Sequence, residues 1–371
     1  DADLPAQTLS YSIVGGADAA KFSINASTGA LSFVTAPDFE APTDAGADNT
    51  YDVTVQVSDG TLTSTQAIAV TVTPVNDNTP AIPSSATASV AENTTAVMTV
   101  TATDADLPAQ TLSYSIVGGP DAAKFAINAS TGALSFVTAP DYEAPTDAGA
   151  DNTYDVTVQV SDGSLTSTQA IAVTVTPVND NTPAITSSAT ANVAENSTAV
   201  LTVTATDADL PAQTLSYSIV GGADAAKFSI NASTGALSFV TAPDFEVPTD
   251  AGGNNVYDVT VQVSDGTLTS TQAIAVTVTP VNDNTPAITS SATASVAENT
   301  TAVMSVTATD ADLPAQTLSY SIVGGADAAK FAINASTGAL SFVTAPDYEA
   351  PTDAGGNNVY DVTVQVSDGT L

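Results

Sequence analysis

The sequence predicts an all-β protein, an elongated tandem array of Greek-key β-sandwiches with about seven strands each. The chain of 371 residues repeats at a period of 103, marked by its four lysines, Lys21, Lys124, Lys227 and Lys330. Within each repeat, short apolar and polar alternations are separated by turns rich in Gly, Pro, Asn and Asp. A repeat of this length is large enough for its own core, so we expect separate domains rather than one large one.

The repeat boundaries are marked by the segment Pro-Val-Asn-Asp-Asn-Thr-Pro, which recurs unchanged at 74–80, 177–183 and 280–286. It predicts four domains, at 1–79, 80–182, 183–285 and 286–371. The first is expected to lack its opening strands and the last to stop early. We therefore expect two complete repeats between two truncated ones, as in a window cut from a longer polypeptide.

Strands are predicted wherever apolar and polar residues alternate. In chain order the predicted runs lie at 9–14, 22–24, 30–34, 51–57, 68–72 and, opening the second repeat, 98–103. In the fourth run, Tyr51 and Val53 alternate with Asp52 and Thr54, so one face is apolar and the other polar. Thr and Val dominate where a helix would favour Leu, Glu and Lys, so no amphipathic helix is predicted.

The composition excludes several classes of partner. Forty Asp and Glu stand against four Lys, with no Arg and no His, which gives a formal net charge of −36. Such a charge opposes binding to nucleic acid or to an anionic membrane surface. The absence of Cys excludes disulfides and thiolate metal sites. No apolar run approaches the roughly 18 residues of a membrane span, and no signal peptide is visible.

The acidic residues fall into five groups in each repeat. In the second repeat these are Glu92; Asp104 and Asp106; Asp141 and Glu143; Asp162; and the closing Asn179, Asp180 and Asn181. Carboxylates with amide and backbone oxygens suit a hard cation with six to eight ligands, which favours Ca²⁺ over Mg²⁺ or zinc. A lone Ser-Asp-Gly is usually a plain turn, but the five groups together predict metal binding.

The order of these groups resembles a cadherin repeat along its whole length. The shared motifs are Val-Ala-Glu-Asn, Val-Thr-Ala-Thr-Asp-Ala-Asp, Phe-x-Ile-Asn-x-x-Thr-Gly-Ala-Leu, Asp-Tyr-Glu, Val-Ser-Asp-Gly and Val-Asn-Asp-Asn-Thr-Pro. The lack of Arg, Cys and any membrane span, with a texture rich in Ala, Thr, Gly and Asp, is similar to the cadherin-like arrays of long bacterial surface or secreted proteins. The resemblance implies Ca²⁺ ions between consecutive domains, about three at each complete junction.

The resemblance also implies which residues bind these ions. The first junction would use Asp38, Glu40, Val75, Asn76, Asp77, Asn78, Asp104, Asp106 and Asp162. The second would use Glu92, Asp141, Glu143, Val178, Asn179, Asp180, Asn181, Asp207, Asp209 and Asp265. The third would use Glu195, Asp244, Glu246, Val281, Asn282, Asp283, Asn284, Asp310, Asp312 and Asp368. The valines would contribute backbone carbonyls, and the upstream Glu of the first junction would precede residue 1.

Two departures from the family pattern concern the linker and one ligand. The family often begins the linker with Asp, where this chain has Pro74, Pro177 and Pro280, a change expected to stiffen the hinge without deleting a site. The carbonyl ligand from the loop after Asp-Ala-Asp-Leu-Pro-Ala-Gln is unassigned. At the second junction, three Ca²⁺ would bring seven carboxylates from about −7 to about −1 in formal charge. Without ions the junction would flex, and affinities of about 10⁻⁵ to 10⁻³ M are expected.

One further loop has two interpretations. The loop from Asp44 to Asn49 carries Asp48, and its third copy, from Asp250 to Asn255, carries Asn254 in that place. The loop could bind an extra ion, but the loss of a carboxylate between copies favours a plain turn.

The resemblance implies a structural or adhesive function rather than an enzyme. The Asp-aromatic-Glu pairs alone do not make an active site, since no His, no Cys and no phosphate-binding loop accompany them. The first hypothesis is a Ca²⁺-rigidified extracellular extender of a large adhesin or matrix protein. The alternative is a self-associating subunit of an extracellular filament or sheath, or a homophilic adhesion module that contacts copies of itself or other surface proteins. Carbohydrate binding is disfavoured by the absence of Trp.

Overall fold

The computed structural model describes residues 5–371, and it confirms the all-β prediction. The first Asp-Ala-Asp, at 1–3, lies outside the described residues. The chain divides into two compact units, residues 1–178 and 179–371, with the division inside the second copy of the repeated linker. Each unit contains two of the predicted repeats, and the finer division into four domains stays a prediction.

The helices of the described residues are single 3₁₀ turns, one in each repeat, at Ala19–Lys21, Ala122–Lys124, Ala225–Lys227 and Ala328–Lys330. Each follows an Asp and leads directly into a Phe that begins a strand. In the part of the chain that the structure describes, no helix has the length and apolar character needed to cross a membrane.

Between residues 5 and 178, the described part of the first unit contains twelve strands. In the first repeat they are β1 (Ser10–Gly15), β2 (Phe22–Ile24), β3 (Leu31–Phe33), β4 (Thr50–Ser58) and β5 (Thr63–Thr71). In the second repeat they are β6 (Thr87–Ala91), β7 (Ala96–Thr99), β8 (Ser113–Gly118), β9 (Phe125–Ile127), β10 (Ala133–Phe136), β11 (Thr153–Ser161) and β12 (Thr166–Thr176).

The second repeat is a sandwich of two sheets. One sheet has the order β6-β12-β11-β8, with β6 parallel to β12 and the other pairs antiparallel. The facing sheet has the order β7-β10-β9, and both of its pairs are antiparallel. The first repeat has the corresponding sheets β1-β4-β5 and β2-β3.

The second unit repeats this arrangement. In the third repeat its strands are β13 (Ala184–Ile185), β14 (Thr190–Ala194), β15 (Ala199–Thr202), β16 (Ala205–Thr206), β17 (Ser216–Gly221), β18 (Phe228–Ile230), β19 (Ala236–Phe239), β20 (Val256–Ser264) and β21 (Thr269–Thr279). In the fourth they are β22 (Ala287–Ile288), β23 (Ala302–Ser305), β24 (Ala308–Thr309), β25 (Ser319–Gly324), β26 (Phe331–Ile333), β27 (Ala339–Phe342) and β28 (Thr363–Ser367).

The sheets of the second unit follow the same topology. The third repeat has the sheets β14-β21-β20-β17, β15-β19-β18 and β13-β16, with β14 parallel to β21. The fourth has β23-β27-β26, β25-β28 and β22-β24. The two short pairs, β13-β16 and β22-β24, each join the segment just after a linker to the strand that precedes an Asp-Ala-Asp motif.

The core lies between the two sheets of each sandwich. In the second repeat, the rings of Phe125 and Phe136 stack with centroids 4.6 Å apart, and Tyr154 meets Phe136 edge-on at 5.1 Å. Val158 and Val173, from neighbouring strands, are fully buried beside them. The predicted alternation is confirmed, because residues of one parity on β11 and β12 form the core while the others face outward.

One strand differs from its prediction. The run predicted at 98–103 is divided, since the ladder of β7 ends at Thr99 and Thr103 instead bridges Ala81. Between them, the backbone N–H of Val100 donates to the carbonyl of Gly132 at 2.8 Å. The chain therefore passes from one neighbour to another just before Asp104, and this crossover delivers the Asp-Ala-Asp motif to the end of the sandwich.

Candidate metal centre

Glu195 organises the upstream side of the third junction, which lies within the second unit. It follows β14 directly, and its side chain is only 3% exposed. One carboxylate oxygen accepts the N–H of Phe245 at 2.7 Å, and the other accepts the N–H of Val281 at 2.7 Å. A single buried carboxylate therefore ties the Asp-Phe-Glu segment to the start of the linker.

Asp244 and Glu246 stand beside Glu195. Carboxylate oxygens of the three residues lie within 4.8 Å of one another. Asp244 Oδ1 accepts the N–H of Glu246 at 3.0 Å, and Glu246 Oε1 accepts the N–H of Leu313 in the fourth repeat at 2.9 Å. The upstream carboxylates therefore contact the downstream repeat directly.

The linker and the Asp-Ala-Asp motif form the downstream side. Asp312 is 1% exposed, and its Oδ1 accepts Asn284 Nδ2 at 2.7 Å and the backbone N–H of Asn284 at 3.1 Å. Asp310 Oδ1 accepts the N–H of Asp312 at 3.2 Å. The side chain of Asn282 hydrogen-bonds to Asp368, whose carboxylate also accepts the N–H groups of Thr370 and Leu371. The linker thus brings ligand-type oxygens of both repeats together.

The carboxylates of this junction repel one another. Burial raises the pKa of Glu246, and the charge of Glu195 raises it further against the hydrogen bond from Leu313. Burial and the charge of Glu195 also raise the pKa of Asp283. The pKa of Asp312 is lowered, because its hydrogen bonds from Asn284 outweigh the effect of burial. At Glu246 and Asp283, negative charge therefore exceeds what the surrounding donors neutralise.

Several buried oxygens at the junctions accept no hydrogen bond from any residue that the structure describes. The first Asp of each Asp-Ala-Asp motif has such an atom, Oδ2, in Asp104, Asp207 and Asp310. The Oε1 atoms of Gln110, Gln213 and Gln316, six residues further along the chain in each case, are in the same situation. A buried carboxylate oxygen without a partner is costly, so these oxygen-only sites fit a hard cation such as Ca²⁺.

The first junction, within the first unit, has the same construction. Glu40 Oε1 accepts the N–H of Leu107 at 3.2 Å, and Asp106 Oδ1 accepts Asn78 Nδ2 at 2.7 Å. Oxygens of Glu40, Asp77 and Asp106 lie within 4.8 Å of one another, as do those of Asp104, Asp106 and Asp162. Asn76 hydrogen-bonds to Asp162. The predicted ligands from the linker and the downstream repeat therefore meet.

The upstream half of the second junction lies in the first unit. Glu92 is 2% exposed and accepts the N–H groups of Tyr142 at 2.7 Å and Val178 at 2.6 Å. Asp141 Oδ1 accepts the N–H of Glu143 at 3.0 Å. This half reproduces the upstream side of the third junction.

The downstream half of the second junction lies in the second unit. Oxygens of Asp207, Asp209 and Asp265 lie within 4.8 Å of one another. Asn181 Nδ2 donates to Asp209 Oδ1 at 2.8 Å, and Asn179 hydrogen-bonds to Asp265. Asp180 donates its N–H to Asp209 at 3.5 Å. The predicted union of the two halves stays a prediction.

The remaining predicted ligands have other contacts. Asp38 Oδ1 accepts the N–H groups of Glu40 and Ala41, the same turn that Asp141 and Asp244 make in later repeats. Val178 and Val281 donate their N–H groups to the upstream Glu. Val75 is 64% exposed. The carbonyl ligands assigned to these valines stay predictions.

Some contacts at the junction were not predicted from the sequence. Asn196 Nδ2 makes a short hydrogen bond to Asp283, 87 residues away, and the N–H of Leu313 reaches Glu246 across 67 residues. Asn196 is the last residue of the Ala-Glu-Asn motif, so its position in the motif was the available signal. The partner could not be read from spacing, since it depends on how two repeats meet.

The acidic loop for which the sequence allowed two interpretations, at 250–255 in the third repeat, forms a turn closed by its own hydrogen bonds. In the third repeat, Asp250 Oδ2 accepts the N–H of Asn254 at 2.9 Å and Oδ1 accepts the N–H of Asn255 at 3.0 Å. Asp44 and Asp147 make the same pair of bonds in their repeats. Both oxygens of each carboxylate are occupied by backbone donors, which favours the turn over an extra ion site.

Comparison with known proteins identifies the repeated unit. The family model described as "Cadherin domain" matches residues 86–176, 189–279 and 292–371. Human Protocadherin Fat 1 is 32% identical over 392 residues, which covers 99% of this chain and 8% of that protein. Mouse Protocadherin Fat 4 is 32% identical over 354 residues, covering 89% of this chain and 7% of that protein. The chain thus spans a small fraction of these curated relatives.

A solved structure has a similar fold along almost the whole chain. The structure titled "Protocadherin gammaB7 EC3-6 cis-dimer structure" superimposes with a TM-score of 0.65 at 27% sequence identity. The match covers 98% of this chain and 90% of that chain.

Proposed function

Since this chain belongs to the cadherin domain family, we propose that it is an extracellular structural array whose repeats are held in fixed orientations by Ca²⁺ bound at their junctions. Cadherins and protocadherins are adhesion proteins, and their domains bind Ca²⁺ between consecutive repeats. The family relationship supports a binding and structural function rather than an enzymatic one.

The observation that carries this proposal is the buried Oδ2 atom of Asp104, Asp207 and Asp310, which accepts no hydrogen bond from the described residues in any of the three copies. A carboxylate oxygen in that state is stabilised by a cation, and the neighbouring ligand-type atoms are oxygens. Carboxylate oxygens of Asp104 and of Asp207 each lie within 4.8 Å of those of two neighbouring Asp residues. A divalent ion would supply the missing partner for these buried oxygens and neutralise the carboxylates around them.

The ion would link three parts of the chain at each junction. At the third junction Glu195, Asp244 and Glu246 would hold it from upstream, the linker from Asn282 to Asn284 in the middle, and Asp310, Asp312 and Asp368 from downstream. Bound Ca²⁺ supplies positive charge and several oxygen contacts at once, so rotation of one repeat against the next would break ligand bonds. Each complete junction would bind about three Ca²⁺ ions, with dissociation constants of about 10⁻⁵ to 10⁻³ M.

We propose that the array is secreted or displayed at a cell surface as the extender of a large adhesin-type or matrix protein, in a bacterial host. Near-identical repeats supply length rather than a unique recognition surface, and the lack of Cys and Arg favours a bacterial surface protein. Extracellular Ca²⁺ at millimolar concentration would keep sites of this affinity occupied.

Small-angle scattering of the 371-residue chain tests the proposal. In about 5 mM CaCl₂ the maximum dimension is expected to be longer and more sharply defined than in EDTA, because bound ions fix each hinge. Mg²⁺ at the same concentration serves as the control for ionic strength. Identical scattering profiles in CaCl₂ and EDTA would contradict Ca²⁺-dependent rigidity.

Self-association is a second candidate function. It is favoured by the similarity to a protocadherin structure whose title describes a cis-dimer. In this reading the array would be a subunit of an extracellular filament or sheath, or a homophilic adhesion module. Sedimentation in Ca²⁺ separates the two: a monomer at all concentrations supports the extender, and concentration-dependent assembly supports self-association.

A further inference from the structure

Each repeat contains one Asn that reaches from the acidic loop to the ligand segment. Nδ2 of this Asn donates to the carbonyl of the aromatic residue ten positions earlier in the chain, at 2.9 to 3.0 Å. We name these residues the clamp asparagines: Asn49, Asn152, Asn255 and Asn358. All four have a left-handed backbone, with φ between 60° and 64°. In the first three repeats the aromatic residue lies between the Asp and the Glu assigned to Ca²⁺, and in the fourth it lies between Asp347 and Glu349.

In the third repeat the clamp fixes the backbone on both sides of Phe245. The N–H of Phe245 donates to Glu195 at 2.7 Å, and its carbonyl accepts Asn255 Nδ2 at 2.9 Å. These two groups belong to the peptide units that join Phe245 to Asp244 and to Glu246. The orientation of both ligand residues therefore depends on one hydrogen bond donated to the ligand Glu195 and one received from the clamp Asn255.

The loop that carries Asn255 is itself braced. Asp250 accepts the N–H groups of Asn254 and Asn255, at 2.9 and 3.0 Å. Asp224 accepts those of Ala251 and Asp258, at 2.7 and 2.9 Å. Two buried carboxylates therefore hold the loop from which the clamp reaches the ligand segment.

The buried side-chain amide of Asn255 forms its hydrogen bond through the Nδ2 donor and not through the Oδ1 acceptor. The residue is 9% exposed, and its Oδ1 is buried without a hydrogen bond from the described residues. The Oδ1 atoms of Asn49 and Asn152 are in the same state. Burying an unpaired amide oxygen is unfavourable, so a hydrophobic or smaller residue would be less costly if the Nδ2 bond had no role.

We propose that the clamp asparagines are positioning residues for the Ca²⁺ junctions: Asn255 orients Asp244 and Glu246 for the ion without contacting it. This inference rests on the proposed function. The inference also gives the acidic loop a function other than binding an extra ion. Asp250 holds the backbone at Asn255, and Asn255 in turn holds the segment that carries Asp244 and Glu246. Loss of an outer partner of a metal ligand typically weakens binding by about 10-fold or more.

The chain offers a matched pair of variants. Gly adopts a left-handed backbone without strain, so Asn255→Gly removes the side chain while preserving the loop conformation. Asn358→Gly removes the same bond, of 3.0 Å to Tyr348, in the fourth repeat. The ligand-type residues beside Tyr348, Asp347 and Glu349, face no further repeat within these 371 residues. Both variants lose one hydrogen bond, but only the first touches a junction present in the chain.

The test is Ca²⁺ titration of the full chain by calorimetry, with the unfolding midpoint in EDTA as a second readout. We expect Asn255→Gly to weaken one set of sites by about 10-fold and Asn358→Gly to titrate like the wild type, while both lower the EDTA midpoint similarly. Asn255→Asp, which keeps the shape but cannot donate, should show the same weakening if the Gly variant does not fold.

Three results would overturn the inference. If the wild type binds Ca²⁺ and Asn255→Gly binds it with the same affinity, the positioning role of Asn255 is contradicted while the proposed function stands. Equal weakening of Ca²⁺ binding in Asn255→Gly and Asn358→Gly would have the same consequence. No Ca²⁺ uptake by the wild type would contradict the proposed function and, with it, the clamp.

Discussion

Each repeat buries acidic side chains in two regions with opposite surroundings. Around the loop of the third repeat, both oxygens of Asp250 in the loop and of Asp224, which braces it, accept backbone N–H groups. At the junction that follows, Asp310 keeps a buried oxygen with no donor among the described residues. Burial of an acid is therefore not a sign of a metal site by itself. The supply of donors distinguishes a carboxylate that braces a loop from one that fits an ion.

The pKa values of the loop carboxylate Asp353 and of two junction carboxylates, Glu246 and Asp283, shift in opposite directions. In the loop of the fourth repeat, burial raises the pKa of Asp353, but hydrogen bonds from the backbone of Asn357 and Asn358 outweigh it and the net pKa is lowered. At the junction, burial and the charge of Glu195 raise the pKa of Glu246 and Asp283. The loop is complete as folded, whereas the junction carries charge that a cation would relieve.

The largest expected effect is a loss of unfolding free energy when a carboxylate that braces the acidic loop is removed. Asp224→Ala would leave the N–H groups of Ala251 and Asp258 without their acceptor, which is expected to cost about 3 kcal/mol of unfolding free energy. Because no ion contacts Asp224, denaturant unfolding should show this loss already in EDTA, and a somewhat larger loss in Ca²⁺, since the loop that Asp224 braces carries the clamp asparagine Asn255. A loss confined to Ca²⁺ would mean that the loop, too, is a metal site.

The matching change on the junction side is Asp283→Ala. It is expected to weaken Ca²⁺ binding at one junction by at least about 10-fold, since it removes a ligand rather than an outer partner. In EDTA the variant should be no less stable than the wild type, because the repulsion with Glu195 is relieved. Thermal unfolding in both conditions checks this, and equal destabilisation in both would assign Asp283 a folding role.

The pH dependence in EDTA is a smaller effect. The pKa values of Glu246 and Asp283 are raised in the folded chain, so the folded state binds more protons than the unfolded state at mildly acidic pH. The unfolding midpoint in EDTA should therefore rise as pH falls from about 7 to about 5. In Ca²⁺ it should fall instead, because protons compete with the ion. A falling midpoint in EDTA would contradict the proposed repulsion.

The smallest expected effect comes from a substitution that the chain already contains. Asp151 Oδ1 accepts the N–H of Thr153 at 3.0 Å, and Asn254 Oδ1 accepts the N–H of Val256 at 3.1 Å in the next repeat. Asp151→Asn should therefore change the unfolding free energy by less than about 0.5 kcal/mol and leave the number of bound Ca²⁺ ions unchanged. A lower ion count in calorimetric titration would revive the extra-ion interpretation of this loop.

The fold was largely predictable because its signal is local. Alternation on β4 and β11 follows from the pleat of a strand with one buried face, and Gly and Asn mark the turns. The exception is instructive: Val100 continues the apolar run, but its backbone already pairs with Gly132 and Thr103 pairs with Ala81. Which neighbour a strand residue selects depends on sheet closure, which the local pattern does not contain.

The site was predictable as a set of residue types but not as a network. Motif order indicated Glu195, Asp312 and their equivalents. The contacts between Asn196 and Asp283 and between Leu313 and Glu246 join distant residues whose meeting depends on packing between repeats. The clamp asparagines were hidden for another reason: they lie in a turn-rich acidic loop, where Asn is ordinary.

The most direct test of the central claim is the anomalous X-ray signal of Ca²⁺ in crystals of the full chain grown in CaCl₂. We predict peaks among Glu195, Asp283 and Asp312 at the third junction, and none between Asp250 of the loop and Asp224, which braces it. Peaks in the loop, or a junction that remains without ions at saturating Ca²⁺, would contradict it.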